Sequence, residues 1–172
     1  MWTLQVHPWH LPEKYSPQAD DFLAELSGAC ALGEIGLDRL KGPELAVQRL
    51  FFNDLLRIAE RANKPVVIQS VRCDAELDAA LKDFPGRVLI HGFRGGEKRL
   101  FQHLEAGRFV SFAPGGWCHC LNLLNERGLK NIGLETDDLQ ISIESVYDQA
   151  EKETRITGWS SACADNFLRF IG

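Results

Sequence analysis

The chain lacks any stretch approaching the roughly 18 consecutive apolar residues of a membrane-spanning helix, so no membrane partner is expected. It also lacks, behind Met1, a basic segment followed by an apolar run, so no secretory leader is read and a cytoplasmic location is expected. The five cysteines, Cys30, Cys73, Cys118, Cys120 and Cys163, are odd in number and none pair at zinc-ribbon spacing, which points to reduced thiols. Positive charge is not in excess. A formal net charge of −5 leaves no general nucleic-acid-binding surface, and a polyanionic substrate would have to be met locally, by a metal or a basic patch. There is no internal repeat, linker or low-complexity segment. No phosphate-binding glycine motif is present either, since Gly115-Gly116 reads as a turn.

What is present is ordinary globular material. With 172 residues, 45% hydrophobic and 25% charged, the chain reads as one domain over residues 1–172 with a sizeable core. Short apolar runs at residues 2–7, 30–37, 66–68, 87–91, 109–112 and 131–135 read as strands. Between them lie helical periods. Ser16-Pro17 reads as a helix start. Pro43 opens a helix whose Leu45, Leu50, Phe51, Leu55, Ile58, Ala59 and Ala62 form one apolar face, and Asn63-Lys64-Pro65 stops it. Asp74 caps a short helix. Residues 97–106 form another, with Leu100, Phe101 and Leu104 inside, and residues 118–127, 142–154 and 157–170 supply the rest. Six strands alternating with six or seven helices make a parallel α/β chain. A closed (β/α)8 barrel typically needs about 250 residues. Either the sheet is open, or a barrel closes with fewer strands.

Three of the apolar runs lead into a side chain that can bind a metal. They are Ala31-Leu32-Gly33-Glu34-Ile35-Gly36-Leu37-Asp38, Val88-Leu89-Ile90-His91-Gly92 and Asn131-Ile132-Gly133-Leu134-Glu135-Thr136-Asp137-Asp138. Ligands at the C-terminal ends of parallel strands converge on one face, an arrangement used by divalent-metal hydrolases on α/β scaffolds.

Gly33-Glu34-Ile35-Gly36-Leu37-Asp38, Ile90-His91-Gly92-Phe93 and Leu134-Glu135-Thr136-Asp137 resemble the signature runs of the TatD family. These are metal-dependent hydrolases on a (β/α)8 barrel, described as deoxyribonucleases or phosphoesterases. Val6-His7-Pro8-Trp9, Pro65-Val66-Val67-Ile68-Gln69-Ser70 and Asn166-Phe167 resemble further family runs, in the family's order. The resemblance implies a TIM-barrel-like (β/α) fold, shortened or incomplete, with about six parallel strands. The departures are specific. No His-x-His pair opens the chain, and two strands of the family have no counterpart. Gln69 stands where the family has a metal-binding histidine, Arg94 where it has a serine, and Asp138-Leu139 where it has Ala-Pro.

By resemblance Glu34, His91 and Asp137 keep the metal-ligand pattern, and Asp137 is the residue that activates water. Two carboxylates and one imidazole suit one divalent ion, Mg, Mn or Zn, rather than two. A site so reduced is slow, or empty and inactive. The function implied is hydrolysis of phosphoester bonds, in a small phosphoester or in nucleic acid such as DNA. The alternative is a non-catalytic, degenerate relative with a binding or structural role. A chain whose upstream part was lost is a third reading.

Each residue also has a plainer explanation. Glu34 and Asp137 could be carboxylates paired with nearby arginines, and His91 a core histidine; their occurrence together favours the site. His7 reads as a substrate contact or as part of a structural His-Pro turn, and His10 as a surface residue. Gln69 suits hydrogen bonding to substrate better than ligation, because it offers a neutral amide oxygen. Arg94, with Lys98 and Arg99, reads as a phosphate clamp or a solvated helix face. Cys118-His119-Cys120 is too tightly spaced for zinc chelation. Bare edges at the first and last strands would invite pairing with each other or a homodimer.

Overall fold

The computed structural model describes residues 2–14 and 21–172, so the helix start read at Ser16-Pro17 lies outside them. The described chain is an α/β succession of six strands in chain order, each parallel to its partners in the pairings given below. By its internal contacts it divides into two compact units, Met1–Val88 with Ile171 and Leu89–Phe170 with Gly172. Among the described residues no helix is long and apolar enough to cross a membrane.

The first unit contains β1 (Thr3–Leu4), α1 (Asp21–Ser27), β2 (Ala31–Asp38), α2 (Leu45–Arg61), β3 (Val66–Val71) and α3 (Asp74–Leu81). β2 lies between β1 and β3. The expected first strand is cut to two residues because the chain turns away at Pro8, into a 3-10 turn over Pro8–His10. β3 runs past its apolar stretch through Gln69, Ser70 and Val71, which pair with Gly36, Leu37 and Asp38. Ladder pairing, not apolarity, sets its length. Close strand approach needs glycine at Gly36: with φ of 146°, an added Cβ would collide with the Gln69 carbonyl oxygen. α2 buries Phe51, Phe52, Leu55, Leu56, Ile58 and Ala59. Leu50, expected on that face, is half exposed. Its neighbours Phe51 and Phe52 take the core positions instead.

The second unit contains β4 (Val88–Ile90), α4 (Glu97–Glu105), β5 (Phe109–Phe112), α5 (Leu121–Arg127), β6 (Ile132–Leu134), α6 (Ile143–Thr154) and α7 (Trp159–Ile171). β5 lies between β4 and β6. The helix expected over 118–127 begins as a 3-10 turn, Gly116–Cys120, and becomes α-helical only at Leu121. There Glu97 accepts hydrogen bonds from the Asn122 and Leu123 amides. Phe101, expected inside, is exposed with the Arg127 guanidinium 4.6 Å above its ring. The inner position goes to His103, whose ring meets Phe93 edge-on at 5.8 Å. Asn166 on α7 donates to the carbonyls of Leu129 and Ile132, tying that helix to β6.

Candidate active site

In the second unit the strands stop just short of the residues that carry chemistry. His91 follows β4, and Glu135 and Asp137 follow β6. The Glu135 amide still donates to the Phe112 carbonyl at 3.0 Å, and beyond it the backbone leaves the ladder. Glu135 is the organiser. Its Oε1 accepts from the Gly92 amide at 2.8 Å, and its Oε2 accepts from the Ser111 hydroxyl at 2.6 Å. The same Oε2 lies 2.8 Å from His91 Nδ1. An ionised carboxylate only accepts, so Nδ1 carries the proton and Nε2 the lone pair. Nε2 lies 3.9 Å from Asp137 Oδ1. That is too long for a direct hydrogen bond and short enough for one water to touch both atoms. Asp137 adopts φ of 51°, a left-handed conformation uncommon for aspartate and found disproportionately at functional positions.

In the first unit Glu34 lies within β2, not at its end as the sequence pattern suggested. The β2–β3 register shifts between Leu32 and Ile35, around this residue. Glu34 Oε2 lies 3.7 Å from His7 Nε2. His7 Nδ1 accepts the Trp9 amide at 3.2 Å, so its proton sits on Nε2, facing the carboxylate. His7 is therefore fixed by the turn it caps. That turn is anchored in its own right: Trp9 Nε1 donates to the buried Asp38. Asp38 also accepts from the amides of Leu40 and Lys41. Gln48 clamps the Asp38 backbone from both sides, receiving its amide at 2.8 Å and donating to its carbonyl at 2.8 Å.

Gln69 stands on β3 in register with Gly36. Arg94 is exposed on the loop after β4, and Asp138 is exposed beside Asp137. Cys118 and His119 are exposed while Cys120 is buried, so this run does not present its side chains together. The structure thus groups His7 with Glu34, and His91 with Asp137. Sequence reasoning missed Glu135 and Ser111, which fix His91, and Asp38, which anchors the turn carrying His7. The signal for Glu135 was its place in Glu135-Thr136-Asp137, two residues before an expected ligand.

Among the described residues no group of three or more His, Cys, Asp or Glu side chains is placed to hold a metal ion. A catalytic zinc centre draws on three protein ligands. Taken unit by unit, the expected ligands are Glu34 in the first unit and His91 with Asp137 in the second, and Glu135 beside His91 accepts three hydrogen bonds.

Comparison with known proteins places the fold. The chain overlays the crystal structure of YjjV, a TatD homologue from Escherichia coli K12, with a TM-score of 0.77 at 24% identity, over 98% of this chain and 75% of that one. A TatD-family hydrolase structure from Entamoeba histolytica gives 0.67 at 15% identity, over 88% of this chain and 65% of that one. In sequence, the chain is 27% identical over 126 residues to Schizosaccharomyces pombe "Deoxyribonuclease Tat-D", covering 63% of this chain and 40% of that protein. It is 32% identical over 113 residues to the "Uncharacterized metal-dependent hydrolase YcfH" of E. coli K12, covering 63% of this chain and 42% of that one. The chain therefore spans about two fifths of the length of these curated relatives. The family model described as TatD related DNase matches residues 1–151, and the chain belongs to the TatD family.

Proposed function

We propose that the chain is a TatD-type hydrolase of phosphoester bonds, with His91 as its proton-accepting group. The observation that carries this reading is the 2.8 Å contact between His91 Nδ1 and Glu135, which turns Nε2 toward Asp137. A water touching both Nε2 and Asp137 Oδ1 is oriented by two acceptors. As its oxygen bonds to phosphorus, Nε2 takes one proton, the P–O bond to the leaving alkoxide breaks, and that oxygen is protonated from Nε2 or from solvent. The imidazolium so formed is stabilised by the Glu135 carboxylate, and Asp137 holds the remaining O–H. The substrate class follows the relatives' names, one of which is a deoxyribonuclease. His7, Gln69 and Arg94 are proposed as substrate contacts. Metal dependence is named for the relatives. By resemblance Glu34 in the first unit, and His91 and Asp137 in the second, are the ligand positions, and no step above uses an ion.

A second reading, a non-catalytic relative with a binding or structural role, is favoured by Gln69 in place of histidine. The two readings separate in one assay. Hydrolysis of bis(p-nitrophenyl) phosphate and of single-stranded DNA is followed for wild type, Gln69→His and Asp137→Asn, in chelator and with added Mn²⁺. The hydrolase reading expects a wild-type rate above background that Asp137→Asn lowers, because a neutral amide holds the water less tightly than a carboxylate. A common background rate in all three proteins, under every condition, overturns it.

A further inference from the structure

The second unit contains a cavity of about 390 Å³ between its sheet and the helices α6 and α7. Its walls are apolar, with Leu89, Phe109, Phe167 and Phe170 among them, and Phe109 and Phe170 meet edge-on at 5.5 Å. Tyr147, Cys163 and Asn166 line it from the helices, the Asn166 amide already committed to the Leu129 and Ile132 carbonyls, and its polar end on the sheet side holds the hydrogen-bonded pair Ser111 and Glu135. The volume lies in the range of small-molecule sites, and so does the composition, an apolar lining with few polar groups. Protein interiors pack too closely to leave a space of this size by default. Exposed Ala164 and Phe167 line it as well, so it is open to solvent on the α7 side.

The polar end selects by charge and by hydrogen-bond direction. Ser111 donates its hydroxyl proton to Glu135 Oε2, which leaves its oxygen as an acceptor. Glu135 Oε2 already takes two contacts, from Ser111 and His91, while Oε1 takes only the Gly92 amide. A carboxylate has about four acceptor positions, so one remains on Oε1. The end of the cavity therefore accepts and carries negative charge. It suits an N–H donor and repels an anion.

We propose that this cavity binds a small flat aromatic molecule bearing one hydrogen-bond-donating amino group, with the ring among the phenylalanines and the amine on Glu135 and Ser111. The amine shares Glu135 with the His91 contact, so its binding is measured directly and not through hydrolysis. It is read without turnover.

The test uses two fluorescent probes of one ring system and opposite end groups, 1-aminoanthracene and anthracene-1-carboxylate. The amine should bind saturably at one site per chain with enhanced, blue-shifted emission. The carboxylate should bind at least about tenfold more weakly, the worth of one charge-assisted hydrogen bond. Two variants fill the space from opposite sides. At Gly133 an added Cβ meets Ser111 Cβ at 3.6 Å and Ser111 Cα and the Val110 carbonyl oxygen at 4.0 Å, all ordinary contacts, so Gly133→Leu adds bulk at the cavity wall without backbone strain. Ala164→Phe closes it from the exposed side of α7. Each should abolish amine binding with an unchanged far-UV circular dichroism spectrum. If Gly133→Leu does not fold, Ala164→Phe and the two-probe comparison on wild type decide. Equal affinity for both probes, non-saturable binding, or wild-type binding in a folded filled variant overturns the proposal.

Discussion

Glu135 shows how much one side chain can decide. His91 alone is an imidazole after three apolar residues, compatible with a plain core position. Once Glu135 holds Nδ1, one tautomer is selected and Nε2 becomes the basic atom. Replacing Glu135 by Gln keeps the shape and removes the charge that stabilises imidazolium. The expected loss in kcat is about 10- to 100-fold, matching a charge-assisted hydrogen bond at a group that becomes charged in the transition state. A Glu135→Gln rate equal to wild type would remove Glu135 from the mechanism. The thiols give a second residue-scale expectation. Burial, with a smaller contribution from Glu97, pushes the Cys120 thiol up to about 11 from the usual 9.0. Protonated Cys120 is thus favoured in the folded state. Its contribution to stability is present below pH 9.0 and is lost as pH rises through about 11. Iodoacetamide at neutral pH should label exposed Cys118 and spare Cys120 and Cys73 until the chain is unfolded, as read by peptide mass spectrometry.

Elements were legible in the sequence wherever apolar periodicity and topology agree. The runs over 109–112 and 131–135 became β5 and β6, the second shortened to Ile132–Leu134, and Ser142 caps α6 through the Ser145 amide. The pattern failed where polar groups set the geometry. β1 stops early because a His-Pro turn takes over, and β3 runs on through Gln69 and Ser70 because β2 pairs with it. Gln48 could not be found this way. It sits on the buried face of α2 at a polar position, yet its amide nitrogen donates to Asp38, Lys41 and Pro43 carbonyls and its oxygen accepts the Asp38 amide. No periodicity encodes a helix side chain that replaces water for a neighbouring loop. Gln48→Leu should therefore cost about 3 kcal/mol, the sum of several stranded backbone groups. Ser142→Ala, which loses one cap at an exposed helix end, should cost about 1 kcal/mol. Urea denaturation of both variants checks the order. Equal costs would mean that solvent readily serves the groups around Gln48.

At the scale of the whole chain, the family was legible because its signature runs lie in short strands and the turns after them. About six parallel strands were expected and six are present among the described residues. Among the described residues β1 is paired only with β2, and β6 only with β5. Each edge presents backbone groups that another strand can use. Apolar side chains lie nearby in each unit: Trp2 is 49% exposed beside β1, and Leu168 is 61% exposed on α7. At a net charge of only −5, self-repulsion is a weak barrier to association. A second copy of the chain covering these edges is the expected outcome. Sedimentation velocity at micromolar concentration should then give a mass near twice the 19.3 kDa of the chain. Thr3 is exposed on β1, so Thr3→Lys places a charge on that edge and should shift the population toward monomer with the fold intact. A wild-type chain that sediments as a monomer at every concentration would show that the edges are not joined to a second copy.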